Sequence, residues 1–291
     1  IVLRLGADFN VKSVRSTVEE TYERVIKDAK GSIQYLPDLP DHSMRPSKAA
    51  AYGLLARTYL SMRQYDSAFR YADLCLQIKN TLLDYNAGSV NAGSIVPFQP
   101  FNEEIIFYTA MNIYNGIISP SRAKVDTFLY GSYHQEDLRK SAFFLPDGMY
   151  QKFKGNYNTA YSNHFFSGIA SDEIYLTRAE CYARLNNVPA ALSDLNTLMK
   201  NRWNNSVLYT PLTATNPDEA LHLILQERRK ELLFRGLRWM DIKRLNKEGY
   251  NIILRRKIGD VYFTLSPNEN RYALPLPTDI INLTGMQQNP Q

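Results

Sequence analysis

Two stretches decide the fold: RPSKAAAYGLLARTYLSMRQYDSAFRYADLCLQ at residues 45–77 and SDEIYLTRAECYARLNNVPAALSDLNTLMKNRW at residues 171–203. Each reads as two apolar-periodic helices around a short polar break. The predicted spans are 47–62 with 66–79, and 172–185 with 189–202. The pairs match position by position. Tyr52, Leu55, Ala56, Tyr59, Ala68, Ala72 and Cys75 occupy one frame; Tyr175, Arg178, Ala179, Tyr182, Ala191, Leu195 and Leu198 occupy the same frame. Arg178, at an apolar position, is the departure.

Small residues let paired helices approach closely, and larger ones wedge between them. This is the pattern of tetratricopeptide hairpins, whose tandem copies recur about every 34 residues. Here 123 residues separate Ala56 from Ala179, so a large insert lies between repeats. Insertions into such stacks map to loops on one face, often the binding face. The insert, about 84–168, opens on the flexible NAGSVNAGS and reads as irregular, with EEIIFYTAM as a strand or short helix. Fifteen of the 33 Phe and Tyr lie between Phe101 and Phe166, an enrichment that calls for a cause.

Outward from the hairpins, Ser16 and Glu19 have capping-box spacing ahead of a helix with Val18, Tyr22, Val25, Ile26 and Ala29 on one face. Asn216 with Pro217 opens another helix that runs to about Gly236, its first turn carrying Asp218 and Glu219. RWMDIKRL forms a short helix. NIILRRK and DVYFTL form a hairpin around Gly259 and Asp260, and the Pro-punctuated tail is expected to be extended. The fold class is mostly α: tetratricopeptide-like hairpins in an α-α superhelix, a long irregular insert and a small β-hairpin near the C-terminus. One domain over 1–291 is expected, with scaffold at 12–80 and 171–246, insert at 84–168, and hairpin and tail at 250–291.

Net charge is +5 and pI about 9.0, but the cations are spread among acids without a Lys/Arg run, so no nucleic-acid partner is expected. Cys75 and Cys181 fall at core-like helix positions and read as buried thiols. No apolar run is long enough to span a bilayer. His42, His134, His164 and His222 lack metal-pair spacing, and no phosphate-binding or nucleophile-elbow motif appears; no cofactor or metal is expected. The chain begins at Ile1 without a Met or signal peptide, and a preceding segment is expected.

ILQERRKELLFRGLRWMDIKRL resembles the SusD/RagB family, in which a helix with an E-R-x-x-E-L core leads to F-x-G-x-R-W-x-D-x-x-R. Glu227, Arg228, Glu231, Leu232, Phe234, Gly236, Arg238, Trp239, Asp241 and Arg244 fill those places. The tail YALPLPTDIINLTGMQQNPQ is similar to the family terminus: Leu274, Pro275, Asn282, Gln288, Asn289 and Pro290 fit, while Asp279 stands where Glu is usual. RSTVEETYERVIKDA, RPSKAAAYGLLARTYL and SDEIYLTRAECYARLNN match further family stretches. The resemblance implies an outer-membrane, cell-surface protein that binds oligosaccharide or polysaccharide and serves a SusC-like TonB-dependent transporter, without catalysis. It also implies a membrane connection only through an N-terminal lipid anchor, which lies outside this chain.

Sugars need rings for their C–H faces and polar groups for their hydroxyls. The insert offers Tyr108, Tyr114, Tyr130, Tyr133, Tyr157 and Tyr161, with Asn156, Asn158 and Arg122, as carbohydrate-binding candidates; Tyr150 and Asn163 are further members. For any one ring, burial beneath the loop is the plainer role. Glu227, Arg228, Glu231, Gly236, Arg238, Trp239, Asp241 and Arg244 are expected to be structural, with Glu231–Arg235 and Asp241–Arg244 charge pairs and Trp239 packed in the core. Trp203 is expected to make a helix-end hydrophobic contact. The acidic doublets Glu103–Glu104 and Asp172–Glu173 lack the facing geometry of a glycosidase pair. The rival functions are a peptide-binding tetratricopeptide scaffold, which predicts a concave polar groove, and a glycoside hydrolase, which predicts two facing carboxyls in a cleft.

Overall fold

The computed structural model describes residues 2–113, 116–158 and 164–290. In chain order the elements are α1 (Val18–Ser32), α2 (Lys48–Ser61), α3 (Tyr65–Ile78), β1 (Ile105–Phe107), β2 (Ala110–Asn112), α4 (Thr127–Gly131), α5 (Arg139–Phe143), β3 (Phe144–Asp147), β4 (Tyr150–Phe153), β5 (His164–Phe166), β6 (Ile169–Ala170), α6 (Ser171–Arg184), α7 (Val188–Lys200), α8 (Pro217–Glu231), α9 (Arg238–Asn246), β7 (Leu254–Ile258), β8 (Val261–Leu265) and α10 (Thr278–Thr284). The protein is mostly helical with small antiparallel strand pairs, as expected. It divides into two compact units: Ser32–Arg238, and the N-terminal residues up to Gly31 together with those from Trp239 on. Among the described residues no helix is long and apolar enough to cross a membrane.

In the larger unit the two predicted hairpins are α2–α3 and α6–α7. Ser47 caps α2 by accepting a hydrogen bond from Ala50 N, and Asn187 caps α7 by accepting one from Ala190 N. Each hairpin turns on a left-handed residue, Arg63 (φ 62°) and Asn186 (φ 60°), again 123 positions apart. Asparagine adopts that conformation more readily than arginine, so the first turn is the more strained of the two. Ala49, Ala50, Leu55 and Ala56 of α2 and Ala68, Ala72 and Cys75 of α3 are buried. Gly53 leaves room for Ile169: a Cβ there would lie 2.7 Å from Ile169 Cγ2, so the isoleucine would have to shift.

α3 packs directly on α6, so the repeats are neighbours in space although the insert separates them in sequence. Arg178 explains its own departure from the apolar frame. Its guanidinium donates to Asp73 of α3 at 2.7 Å and to both oxygens of Asp194 on α7 at 2.8 Å, tying three helices together. α8 then covers α6 and α7, where Leu176, Ala179, Leu195, Leu198, Ala220 and Ile224 form one apolar core. Asn216 Oδ1 accepts from Glu219 N at 2.9 Å and caps α8 as predicted. The helix ends at Glu231 rather than near Gly236, because Phe234 (φ 58°) and Gly236 (φ 78°) are left-handed and break the ladder.

In the smaller unit, α1 begins one residue later than its sequence signal. Thr17 Oγ1 accepts from Glu20 N at 3.0 Å and Glu20 Oε2 accepts from Thr17 N at 2.8 Å. Thr17–Glu20 has the same spacing as Ser16–Glu19, and the reciprocal bonds form on that pair. The tail is closed on itself rather than simply extended. Gln288 bonds both the N–H and the carbonyl of Leu276, Asn289 donates to Leu274 O, and Arg15 donates to Asn289 Oδ1 at 2.7 Å. α10 lies inside this closure and is capped by left-handed Gly285. The Asp241–Arg244 pair forms at 2.9 Å. Trp239 is 41% exposed and rests against Tyr272 with ring centres 4.9 Å apart, so its expected core position is not observed.

Replacing Arg178 with Ala leaves Asp194, which is largely buried, without its cation. Such losses cost roughly 2–4 kcal/mol. Urea denaturation is expected to show that drop in stability, and Arg178→Lys to recover only part of it.

Candidate functional site

The insert is mostly loop, as expected, but short strands order it. β1 pairs with β6, β2 with β5, and β3 with β4, all antiparallel. Beneath them is a second core made mostly of rings: Tyr85, Phe98, Phe143, Phe144, Phe153, Tyr157, Phe165 and Phe166 are all buried. Edge-to-face contacts such as Phe98–Tyr157 at 5.0 Å and Phe153–Phe165 at 5.7 Å join them, and Phe234, just after α8, stacks on Phe153 at 4.9 Å. The aromatic enrichment of the insert is therefore largely a packing requirement. Strands of two to four residues supply few backbone hydrogen bonds, and large apolar faces compensate.

A buried charge network joins this core to the helices. Glu231 of α8 accepts from Arg202 at 2.8 Å through one oxygen and from Arg139 at 2.9 Å through the other. Arg139 also grips Asp137 and Glu227, and Lys230 closes on Glu227 at 2.7 Å. Arg202 reaches on to Glu104 at 2.7 Å and to Leu83 O at 2.6 Å. Tyr157 donates its hydroxyl proton to Glu104. Asp172 is held by Arg235 at 2.7 Å, and Glu173 by Arg57 at 2.6 and 2.7 Å. Arg202 lies over the Tyr85 ring and Arg235 over the Tyr157 ring, at 4.2 and 4.3 Å. The expected Glu231–Arg235 pair one turn apart does not form, since each residue has a better buried partner in the insert or on α6.

The electrostatics follow from burial and partners. Burial alone pushes the Glu231 carboxyl up, but the guanidiniums of Arg202 and Arg139 outweigh it and hold it below the ordinary 4.5. Glu227 behaves the same way under burial, Arg139 and Lys230. Asp172 goes the other way: burial raises it to about 7 against the pull of Arg235. Burial also pushes the Tyr85, Tyr133 and Tyr157 hydroxyls up. These carboxylates serve as ion-pair partners inside the protein. Glu104, Asp172 and Glu173 are fully buried, each on a guanidinium, which is not the facing pair of a glycosidase.

The structure sorts the predicted ligand residues. Tyr133 and Tyr157, 2% and 1% exposed, belong to the core, with their hydroxyls spent on Lys230 O and Glu104. Asn156 is also buried: its side chain donates to His164 O and accepts from Phe166 N, holding β5 in place. These three are corrected from surface to interior roles, because a buried Tyr or Asn whose polar atoms find partners is stable there. Tyr130 is half-buried, edge-on to Phe144 at 5.3 Å, with Lys140 over its ring. Asn158 is half-buried, and Arg122 and Tyr150 are exposed. Tyr114, Tyr161 and Asn163 lie outside the described residues. Tyr108 and Tyr130 both pack against the ring core, Tyr108 on Phe166 and Tyr130 on Phe144.

Around Tyr108 a surface platform does assemble. Its ring meets Phe101 at 4.7 Å and Phe166 at 5.7 Å, and His42 lies edge-on to Phe101 at 4.6 Å. Tyr108 N donates to Ser43 O at 2.8 Å, which fixes the segment before α2 against the insert. His42 Nδ1 accepts from Met44 N at 3.2 Å, which orients the ring. Phe101, 43% exposed, has a left-handed φ of 56°, a conformation a bulky side chain adopts only when its surroundings enforce it. Ser43 Oγ is buried without a hydrogen-bond partner among the described residues. The Thr109 and Ser167 hydroxyls, 3.2 Å apart, lie on the adjoining strand ends. Neither the strain at Phe101 nor the meeting of His42 with the insert has a sequence signature. A second, smaller ring group joins Trp203, half-buried, to His134 (4.9 Å, stacked) and Tyr209 (5.8 Å), a contact beyond the end of α7.

A tetratricopeptide-like stack, an aromatic insert locked to it by buried charge and a ring-faced surface define a class of helical ligand-binding proteins. Comparison with known proteins narrows this. A SusD-like family described as starch-binding associating with the outer membrane matches residues 1–60, and the SusD family matches residues 149–291. The chain belongs to the SusD/RagB family, a carbohydrate-binding group. Its fold is similar to that of a SusD superfamily protein from Bacteroides fragilis (21% identity, TM-score 0.75, 98% of this chain and 68% of that one). It is also similar to a SusD-like carbohydrate-binding protein from Bacteroides vulgatus (21%, 0.68, 94% and 66%) and to a laminarin-binding SusD-like protein (17%, 0.69, 100% and 73%). The chain spans about two thirds to three quarters of the length of these proteins. Comparison with curated proteins gives no match.

Glu231→Gln removes the charge shared by two buried guanidiniums and is expected to cost roughly 3–5 kcal/mol. The pH dependence follows from the signs. Glu227 and Glu231, depressed in the folded state, contribute stability above about pH 4.5 that is lost as pH falls through their folded values. Asp172, raised, contributes fully below 3.8, and that contribution drains away as pH climbs toward about 7. Thermal melts across this range should therefore show a shallower acid limb in Glu231→Gln and a flatter slope between pH 4 and 7 in Asp172→Asn. Unchanged slopes would refute these assignments.

Proposed function

We propose that this chain captures oligosaccharide at the cell surface and passes it to a TonB-dependent outer-membrane transporter, making and breaking no bond. The observation that carries the reading is the platform of His42, Phe101 and Tyr108: rings in edge-on and tilted contact at a surface, one of them in a strained loop conformation, with hydroxyls close by. A pyranose has C–H faces that lie on rings and hydroxyl edges that need hydrogen bonds, and a preformed surface of this kind serves both. Tyr108, Tyr130, Asn158 and Arg122 remain candidates for contact, with Phe101 and His42 added.

Family membership supports a carbohydrate ligand, and laminarin, the ligand of one similar protein, is the first glycan to try. The transporter partner, the outer-membrane location and the lipid anchor belong to this proposal through the same membership. The absence of catalysis is part of it too: the buried carboxylates near the insert are committed to arginine. Handover to a transporter favours modest affinity, since a ligand held too tightly is not released.

Isothermal titration of the protein with laminarin, starch and other soluble polysaccharides tests the reading. At least one should bind. Phe101→Ala and Tyr108→Ala should each weaken that binding by about 5- to 30-fold, equivalent to roughly 1–2 kcal/mol for an anchoring ring, with a cooperative thermal melt retained. No new reducing ends should appear on prolonged incubation. Binding unaffected by both substitutions would remove the platform from the site, and release of shorter sugars would reject pure capture.

A further inference from the structure

The hairpin β7–β8 is the most exposed regular element of the smaller unit. Every residue from Arg255 to Thr264 is exposed, on both faces of the two-stranded ribbon. A ribbon of two strands is marginally stable alone in water, yet this one displays Ile258, Val261, Tyr262 and Phe263 to solvent. The chemistry is ordered along its length. At the tip, Ile258 pairs with Val261 across a two-residue turn that Gly259 (φ 59°) allows. Behind it Lys257 faces Tyr262, then Arg256 faces Phe263, then Arg255 faces Thr264. Lys257 lies over the Tyr262 ring at 5.6 Å and sits 3.8 Å from Asp260, the single acid of the hairpin.

The order is therefore a turn carrying Asp260, an apolar pair, a belt of two rings, and three cations within and behind the belt. Period-two alternation spreads this over both faces: Arg256, Ile258, Val261 and Phe263 on one, Arg255, Lys257, Tyr262 and Thr264 on the other. Neither face has the apolar centre bordered by a polar rim that is typical of a protein interface. A second copy of the hairpin would bring like charges together. A medium that surrounds the finger on all sides, apolar at depth and anionic at its surface, suits the rings, the cations and the Ile258–Val261 pair; the Asp260 carboxylate in the turn opposes insertion and is offset by Lys257 at 3.8 Å. Aromatic rings favour the bilayer interface, and Lys and Arg extend their charged ends back to the headgroups. Five residues of strand reach about 16 Å, and burying the first two pairs inserts the tip by roughly 7 Å, a depth typical of interfacial segments.

We propose that β7–β8 is a docking finger for an anionic phospholipid bilayer, which would hold the smaller unit against a membrane surface independently of any lipid anchor. The test is flotation of the protein with vesicles of phosphatidylcholine alone and of phosphatidylcholine mixed with phosphatidylglycerol. Binding is expected to the mixed vesicles, to weaken with added salt, and to be slight on the neutral ones. Each cation near an anionic surface is worth about fivefold in partitioning, so replacing Arg255, Arg256 and Lys257 together with Ala should weaken binding by roughly a hundredfold. Val261→Ser with Phe263→Ser should weaken it at unchanged charge. Thermal melts and glycan titration of these variants should match the parent, showing that the fold is kept. Failure to bind mixed vesicles, or equal binding by parent and variants, would overturn the proposal. So would a concentration-dependent dimer that the same substitutions abolish, which would give the hairpin to a second copy.

Discussion

The carboxylate of Glu231, fully buried and shared between Arg139 and Arg202, is the interaction on which the larger unit depends. α8 supplies the acid, the insert supplies Arg139, and the end of α7 supplies Arg202. Through Arg202 the same charge reaches Glu104 beside β1 and, beyond it, the hydroxyl of Tyr157. Taking such groups out of water costs several kcal/mol each, and only near-complete hydrogen bonding offsets it. Partial assembly is therefore worse than none. The insert docks in one register or not at all, and the network acts mainly through specificity of arrangement.

This explains how short strands can carry a fixed surface. β1, β2, β5 and β6 are too short to define a sheet by backbone bonding. The ring core under them and the ions beside them fix their position, and the platform at Phe101 and Tyr108 inherits it. The strained φ at Phe101 is held by that surrounding structure, since local sequence gives no reason for it. A ligand surface built in this way is preformed, which keeps the entropic cost of binding small.

The helical frame was legible because its information is local. The caps at Ser47 and Asn216, the small residues of α2 and α3, and the matching frame 123 residues later can all be read from neighbours in the chain. Arg178 was visible as an exception but unexplained, since its partners Asp73 and Asp194 lie on other helices. The insert was legible only as a composition. Nothing near Tyr133 or Tyr157 in sequence says that Lys230 O and Glu104 wait for their hydroxyls, and nothing near Glu231 names Arg139, 92 positions away. Of the partners of the family motif around Glu227 and Glu231, only Lys230 lies one turn along the helix; Arg139 comes from the insert and Arg202 from the end of α7. Trp239 looked like a core residue because tryptophan usually is one; in the fold it lies partly exposed on Tyr272.

Hydrogen exchange followed residue by residue in the unliganded protein tests the central claim most directly. If buried charge locks insert and helices into one cooperative structure, amides of β1, β2 and β5 will exchange at the slow rate of α6 and α8, and in Glu231→Gln the strands and helices will lose protection together. Strands that exchange orders of magnitude faster than the helices in the parent protein, or that stay protected in Glu231→Gln while α8 does not, would show that the insert is held by something else.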